Sequence, residues 1–494
     1  MFVVIQIYKK SAVFFFLTQL FFKLSLHFPE EPKKKLGTTQ AELKESKKTI
    51  KICKKRIKKS ASEEVDEETA VVALQTIRGY KFREFVVRIA SGLRARLKEC
   101  GSRSIVKILE VLNEAFGNRL FDKIPCHQTI EDWCEKIGLD MYVNAKNEYK
   151  EQPYVSLHDE SISVGKQKLY VHMAVPSDCV GRPLTLADVD IVDMAVSPSW
   201  DSKSVTSQIM KTSRQIGHST EYSVIDNAYN LRNACTAAGI AFHRDISHTF
   251  GTFLKKHFAE DEGFKSFTKT MESRRLSLHL TENAVLLPPK QRAIARFMNC
   301  FSWVEWAQRI DSMYDGLNDG QKTAFSFVRE NKPLVSELYA IMECVKYVET
   351  ECKNKGLSLG LARCLKERID SDLIGAEGAT ERMQKMGHDM KEYLNEECRH
   401  LKSEDDVHII SSDVIESGFG VFKSTKSPDK LAGITKHVLV LPFSLKATSK
   451  EARITFDFKK ALENVHYADL KEWADLNLYG NPAMERREIF RKTS

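Results

Sequence analysis

The sequence predicts a mixed α/β fold, in which a core with a mixed β-sheet is interrupted by an all-α insertion and preceded by a helical module. Three observations predict it. Residues 71–147 carry apolar side chains at three- and four-residue steps, a spacing typical of helices. Residues 154–258 alternate short apolar strands with turns and helices, in the order β-β-β-α-β-α-β-α. Residues 259–405 return to long amphipathic helical patterns.

The composition is typical of a globular protein with several domains. The chain has 494 residues, of which 42% are hydrophobic and 29% are charged. This length suits about three domains, and the composition excludes wholesale disorder, a collagen-like chain and a polytopic membrane protein. The eleven cysteines include no CxxC pair. We therefore expect free thiols in a reducing compartment rather than a zinc site or a disulfide framework.

The positive charge is concentrated at the N-terminus. The net charge is +8, but residues 1–60 carry 15 Lys and Arg against 4 acids, and the remaining 60 basic and 63 acidic residues leave the rest at −3. We expect residues 1–69 to form a disordered basic arm. Its lysine-rich run, which includes Lys54, Lys55 and Arg56, is either a solvated tail or a sequence-independent, salt-sensitive contact with nucleic acid.

An apolar run at residues 11–22 lies within this arm. It is shorter than the about 20 residues that a membrane-spanning helix needs. Lysines precede it as in a signal peptide, but no small-residue cleavage site follows. Two interpretations stay open, a targeting segment or a start codon placed too early, and we expect no membrane association.

Residues 70–150 predict a helical module that binds DNA. The segment PCHQTIEDWCEKIGL predicts a short helix that ends at Gly138. Two short helices joined by a turn, with His127, Gln128 and Thr129 at the start of the second, suit a helix-turn-helix that reads DNA. Generic packing of three helices gives the same periodicity, so this alternative stays open.

Three acids of the later segments occupy positions that call for an explanation. Asp159 lies in the middle of the strand YVSLHDESISV, where strand propensity disfavours it and burial of an unpaired charge is costly. Asp226 ends the short apolar strand of YSVIDNA, where a carboxylate can face a cleft at the sheet edge. Glu416 lies in the first turn of the helix predicted in SSDVIESGFGVFKSTKS, on the same face as Lys423.

Together these segments resemble the bacterial insertion-sequence DDE transposases, which have an RNase H-like catalytic core. The motifs that carry the resemblance are, in chain order, Asp159, VIDNAYNL with Asp226, RDISH with Asp245 and His248, and DVIESGFGVFKS with Glu416. The strand order is the one that this fold requires, and the Asp-x-x-His motif is similar to one in Mutator-like and hAT-like elements. The resemblance covers residues 75–445. The long gap before Glu416 is a departure that family members with an inserted helical domain accommodate.

The resemblance implies an enzyme that cleaves and joins phosphodiester bonds with two Mg²⁺ or Mn²⁺ ions. Asp159 would bridge both ions, and Asp226 and Glu416 would each hold one, because hard oxygen ligands suit these cations. His248, three residues after Asp245, would order the site. Lys423 would hold a phosphate.

The resemblance also implies the partners. They are double-stranded DNA, as terminal inverted repeats and as target DNA, and further copies of the chain in a synaptic dimer or larger assembly. The implied location is the cytoplasm, at the nucleoid.

The same residues also have purely structural interpretations. Asp226 and Asp245 each precede a predicted helix that they could cap, and Glu416 could belong to a capping box. His248 could be an ordinary hydrogen-bonding partner at a helix start. Two other functions therefore stay open, namely an RNase H-like nuclease or degenerate relative that does not transpose, and a non-catalytic DNA-binding protein.

The remaining segments complete the predicted organisation. The predicted parts are the first part of the core at 151–258, the all-helical insertion at 259–405, the last part of the core with the Glu416 helix at 406–445, and a helical tail at 446–494. Trp303 and Trp306 in the insertion are interpreted as core residues, with stacking on an unpaired base as the alternative. The apolar run GITKHVLVLPF predicts a strand.

Overall fold

The structure is a computed structural model. The described residues are 77–97, 100–290, 300–425, 432–449, 455–480 and 482–492. The basic arm at 1–69, with Lys54, Lys55 and Arg56, lies outside them. The strands are β1 (Tyr154–Val164), β2 (Gln167–Pro176), β3 (Asp190–Ser197), β4 (Ser223–Ile225) and β5 (Phe242–Arg244).

Helices make up most of the described chain. Before and between the strands they are α1 (Glu84–Arg96), α2 (Ser102–Ala115), α3 (His127–Glu148), α4 (Ser202–Ile216) and α5 (Tyr229–Ala237). After β5 come α6 (Ile246–Phe258), α7 (Glu262–Leu278), α8 (Cys300–Met313), α9 (Asp319–Glu330), α10 (Lys332–Lys355), α11 (Leu359–Ile369) and α12 (Glu381–Cys398). The last are α13 (Asp413–Thr425), α14 (Val440–Lys446), α15 (Phe458–Asn464), α16 (Tyr467–Asn477) and α17 (Pro482–Lys492). None of the described helices is both long enough and apolar enough to cross a membrane.

Five strands form one mixed sheet in the order β3-β2-β1-β4-β5. The first three strands of the chain form an antiparallel meander. β4 then runs parallel to β1, and β5 runs parallel to β4. The predicted mixed α/β core with helical regions is confirmed, and the chain follows the predicted order β-β-β-α-β-α-β-α.

Helices cover both faces of the sheet. On one face, Leu157 and Val224 pack in one apolar cluster with Phe419 of α13, together with residues of α3, α14 and α16. On the other face, Tyr170 and Ile225 pack against α4 and α5. Burial on both faces explains why β2 and β4 consist mainly of apolar residues.

Helix α3 connects the N-terminal helices to the sheet. It has 22 residues and continues through Gly138, where the sequence predicted its end, so that prediction was wrong. A Cβ atom at Gly138 would overlap the backbone carbonyl of Leu439. The glycine therefore allows a backbone to approach the helix closely, a role that glycine serves because it lacks a side chain.

The segment that approaches Gly138 is itself a correction. GITKHVLVLPF, predicted as a strand, forms a 3₁₀ turn at Lys436–Leu439 followed by α14. Val438, Leu441 and Phe443 are almost fully buried. A run that is buried on all sides has no periodicity that separates a strand from a buried helix, which explains the error.

The three N-terminal helices are held together by Glu131 of α3. Its carboxylate accepts a hydrogen bond from Arg94 of α1 at 3.3 Å, bonds Ser102 of α2, and lies 3.0 Å from His437. Burial would raise the pKa of Glu131, but these contacts lower it to about 2. The connection between α2 and α3, residues 116–126, is longer than the about three or four residues of a helix-turn-helix turn.

The helices from α7 to α12 build a second apolar core on α6. Phe258 of α6 packs in this cluster with Trp303, which is 2% exposed. The indole nitrogen of Trp306 donates to the carbonyl of Leu286 at 3.0 Å. The interpretation of Trp303 as a core residue is confirmed, and Trp306 is partly buried against the same cluster.

A buried polar network lies between the sheet and α4. The ring of His158 is flanked by the hydroxyls of Tyr170 at 2.9 Å and Ser223 at 3.2 Å. His172 bonds the hydroxyl of Ser156 at 2.8 Å. Burial lowers the pKa of His158 to about 3 and that of His172 well below its ordinary value. Both rings are therefore neutral in the folded protein at neutral pH.

Substitution of Gly138 should test the close approach to Leu439. Gly138→Ala should lower the free energy of unfolding by about 3 kcal/mol or more, because the added methyl group overlaps backbone that cannot move away cheaply. The matched control is Gly92→Ala in the middle of α1, where nothing lies within 4 Å of an added Cβ. There alanine should stabilise the helix by up to about 1 kcal/mol. Urea denaturation measures the free energy of unfolding of both variants. Equal changes would contradict the role of Gly138 in the close approach of Leu439.

The neutral histidines predict how stability depends on pH. Unfolded histidine gains a proton below about pH 6.5, whereas His158 in the folded protein stays neutral until about pH 3. The free energy of unfolding should therefore fall on acidification, by about 2 kcal/mol between pH 7 and pH 5 from His158 alone. His158→Gln should flatten this dependence, whereas substitution of the exposed His127 by Gln should not. The measurement is chemical denaturation between pH 7 and pH 5. If the free energy of unfolding has the same slope against pH in both variants, the prediction is refuted.

Candidate active site

Three aspartates lie at corresponding positions of neighbouring parallel strands. In the sheet register Leu157 of β1 lies opposite Val224 of β4, which in turn lies opposite His243 of β5. Two residues further along each segment come Asp159, Asp226 and Asp245. Since neighbouring strands are about 4.8 Å apart, this register brings the three backbones into one row at the carboxyl edge of the parallel strands.

Asp159 is half-buried within β1, as the sequence predicted for a mid-strand residue. Its partner on β2 is Val171, and a bulge in β1 follows directly, between Asp159 and Ile162. Val171 and Leu157 both belong to the cluster under α13. Strand alternation therefore places Asp159 on the face that α13 covers.

The next acid, Glu160, lies on the opposite face of the sheet from Asp159, because adjacent residues of a strand alternate between faces. The carboxylate of Glu160 accepts a hydrogen bond from Asn230 of α5 at 2.5 Å and lies 3.9 Å from the ammonium of Lys168. Helix α5 packs on the face opposite to α13.

Asp226 is exposed immediately after β4. Its Oδ1 accepts a hydrogen bond from the amide of Ala228 at 2.9 Å, which closes a tight turn. Asn227 within this turn has a φ of +67°, a conformation that asparagine tolerates better than most residues. The N-cap of α5 is Ala228, so the alternative interpretation of Asp226 as the cap of this helix was wrong.

Asp245 is fully buried and caps α6, as its structural interpretation predicted. Its Oδ1 accepts from the amide of His248 at 2.8 Å and lies 3.0 Å from Nδ1 of the same residue. Its Oδ2 accepts from the amide of Ser412 at 2.6 Å and from its hydroxyl at 2.9 Å. Burial alone would raise the pKa of Asp245, but the contacts with His248 and Ser412 lower it. The Asp-x-x-His motif thus joins α6 to the residue that precedes α13.

The helix predicted around Glu416 is present as α13. Ile415 and Phe419 of α13 pack into the same apolar cluster as Leu157 of β1. Glu416 lies in the first turn of this helix, and its side chain is outside the described set. Lys423 is half-buried in the last turn, with its Nζ 5.9 Å from the centre of the Phe419 ring.

The donor chemistry at this edge suits a hard divalent cation. Among the side chains that the structure describes, no group of three or more His, Cys, Asp and Glu residues is placed to hold a metal ion. Asp159 and Asp226 nevertheless offer carboxylate oxygens, which Mg²⁺ and Mn²⁺ prefer. Asp245 is fully buried and its two oxygens accept from four donors, whereas Asp226 is exposed and Asp159 is half-buried.

The predicted DNA-reading residues begin α3. His127 and Gln128 are exposed, and Thr129 is half-buried beside Cys126 at 3.2 Å between Oγ1 and Sγ. The amide of Gln128 donates weakly to Asp132 at 3.4 Å. The accessible part of this surface is therefore the first turn of α3, and its contact with DNA stays a prediction.

Residues that the sequence did not single out also shape the site. Lys353 of α10 forms ion pairs with Asp413, the first residue of α13, and with Glu349 at 3.2 Å. The spacing of Glu349 and Lys353 identifies only a pair within one helix. No local signal connects either residue with Asp413, because that contact depends on how the insertion packs.

Known proteins do not add to this interpretation, since no known protein family and no curated protein sequence matches the chain. The functional interpretation therefore depends on the sequence motifs and on the geometry of the sheet edge. Two features support this interpretation most strongly. Asp159 and Asp226 occupy corresponding positions in the register of β1 and β4, and α13 packs on the face of the sheet that contains Asp159.

Stability measurements should separate the two types of aspartate. Asp245→Ala should lower the free energy of unfolding by about 3–5 kcal/mol, because it leaves the buried donors of Ser412 without an acceptor. Asp226→Ala removes an exposed carboxylate that accepts one hydrogen bond within a turn, and should lower the free energy of unfolding by no more than about 1 kcal/mol. Chemical denaturation of both variants is the measurement. A stable Asp245→Ala protein would show that the buried carboxylate does not join α6 to α13.

Proposed function

We propose that this chain is a Mg²⁺-dependent DDE transposase with an RNase H-like core, which cleaves DNA strands and joins them to target DNA. The observation that carries the proposal is the sheet edge. In the order β3-β2-β1-β4-β5, two acids lie level at the centre of the sheet, and the helix that contains the third acid packs on the same face as Asp159. The motifs VIDNAYNL, RDISH and DVIESGFGVFKS occupy the segments that build this edge.

In the proposed site, residues that differ in solvent exposure have different roles. Asp159, Asp226 and Glu416 would hold the divalent cations, which supply Lewis-acid stabilisation of the attacking and leaving oxygens. Asp226 is exposed, so a divalent cation that also binds a DNA phosphate could reach its carboxylate. Asp245 and Ser412 hold the start of α13 relative to the strand ends. Lys423 is the proposed cation for a phosphate of the bound strand.

The proposed partners follow from the same reaction. Double-stranded DNA would be bound as element ends and as target, with His127, Gln128 and Thr129 of α3 as candidate contacts. Pairing of two ends would require a dimer or a larger assembly at the nucleoid. An RNase H-like nuclease that hydrolyses DNA without joining it is the alternative with the same geometry.

A strand-transfer assay tests the proposal. Labelled duplexes taken from the DNA on either side of the coding sequence should be nicked and joined to a plasmid in Mg²⁺, and not in EDTA. Asp226→Asn should lower both rates by at least about two orders of magnitude, since it removes a ligand charge. Asp475→Asn, a substitution of an exposed acid on α16, should leave both rates unchanged.

The products separate the alternatives. Hydrolysis without joining would support the nuclease, provided that Asp226→Asn abolishes it. Binding of the duplexes with neither cleavage nor joining by the wild-type protein would favour a non-catalytic DNA-binding protein. Full activity of Asp226→Asn would refute the proposed site.

A further inference from the structure

The helical insertion and α13 meet at a junction of charged side chains. Lys353 in the last turn of α10 forms an ion pair with Asp413, the first residue of α13. It also pairs with Glu349 one turn earlier, at 3.2 Å. The side chains of Lys353 and Glu349 are 27% and 13% exposed, whereas that of Asp413 is 44% exposed. Lys353 thus connects a carboxylate of the insertion to a carboxylate at the start of α13.

The lysine at this junction is charged at neutral pH. Burial would lower the pKa of Lys353, but the carboxylates of Glu349 and Asp413 outweigh this effect and raise it. The positive charge of Lys353 therefore stabilises the carboxylates of Glu349 and Asp413. Without a cation between them, these two partly buried acids would repel one another.

A backbone connection reinforces the same junction. Just beyond α10, Leu357 and His408 exchange two backbone hydrogen bonds, of 2.7 and 2.9 Å. Two residues further, the carbonyl of Ile410 accepts from the amide of Ile246 at 3.0 Å. The segment that leads into α13 is therefore held by the insertion on one side and by the start of α6 on the other.

These contacts differ in what they contribute. The buried hydrogen bonds of Asp245 hold Ser412 and are expected to matter for folding. The Lys353–Asp413 pair is partly exposed, and ion pairs of this kind add little to stability. It nevertheless contacts the residue that begins the helix of Glu416, and a misplacement of about 1 Å at a catalytic group costs about a hundredfold in rate.

We propose that Lys353 is a positioning residue through which the helical insertion sets the placement of α13, and with it the rate of the proposed reaction. The proposal rests on the proposed function for its activity readout. The structural part, that Lys353 restrains the start of α13, does not depend on any activity.

The test compares Lys353→Met and Lys353→Arg in α10 with Asp413→Asn in α13, and a further substitution in α10 is the control. Lys353→Met should lower kcat for strand cleavage by about tenfold or more, with KM for DNA unchanged, because the pair acts on a catalytic helix and not on bound DNA. Lys353→Arg keeps the charge and should restore most of kcat. Asp413→Asn should reproduce the loss, and the double variant Lys353→Met/Asp413→Asn should be no slower than either single variant.

A matched lysine of the same helix is the control. Lys346 pairs with Glu305 of α8 at 3.2 Å and is 55% exposed. That pair lies wholly within the insertion, so Lys346→Met should leave kcat unchanged. If all variants unfold at the same temperature as the wild type, the lower kcat of Lys353→Met does not come from a damaged fold.

Hydrogen–deuterium exchange measured by mass spectrometry tests the restraint without an activity. Peptides that cover α13 should exchange faster in Lys353→Met than in wild type and in Lys346→Met. If the wild-type protein cleaves no DNA, the proposed function fails, while the exchange still decides whether Lys353 restrains α13. Unchanged exchange in Lys353→Met overturns the positioning role, and so does an unchanged kcat in an active protein.

Discussion

The buried carboxylate of Asp245 is the interaction on which the arrangement of the proposed site depends. One of its oxygens holds the first turn of α6 through His248, and the other holds Ser412 immediately before α13. A buried charge is costly unless hydrogen bonds compensate it, and here four donors do so. The compensation lowers the pKa of the carboxyl group, so the charge persists into acidic solution. The end of β5 and the start of α13 are thereby connected by one side chain.

The row of aspartates shows that surroundings, not residue type, determine what a carboxylate can do. Asp245 uses its acceptor sites on protein donors and so has little capacity for a ligand. Asp226 lies level with it in the register but is exposed after a very short strand. Asp159 is half-buried within β1, and the neighbouring Glu160 faces the other side of the sheet, where it bonds Asn230. Metal binding is therefore proposed for two of these aspartates, and a structural role is assigned to the third.

Much of the fold could be predicted from the sequence because strand and helix patterns are local. The strand end at Asp226, the helix that follows Asp245 and the helix around Glu416 were all predicted from short motifs. What failed depended on distant contacts. Gly138 has the local appearance of a helix end, but it serves the close approach of Leu439. The Lys353–Asp413 pair likewise has no local signal, because only the packing of the insertion brings these residues together.

The two ends of the helical insertion lie at one junction beside the proposed site. The insertion follows α6, which begins at Asp245, and the chain returns to the sheet at Ser412, which the same carboxylate holds. The entry and the exit of the insertion are thus fixed within one hydrogen-bonded junction. Since the entropic cost of closing a loop grows only slowly with its length, a junction of this kind tolerates a large inserted domain. The long gap between Asp226 and Glu416 is therefore no obstacle to a shared site, because the position of α13 depends on the ends of the insertion rather than on its length.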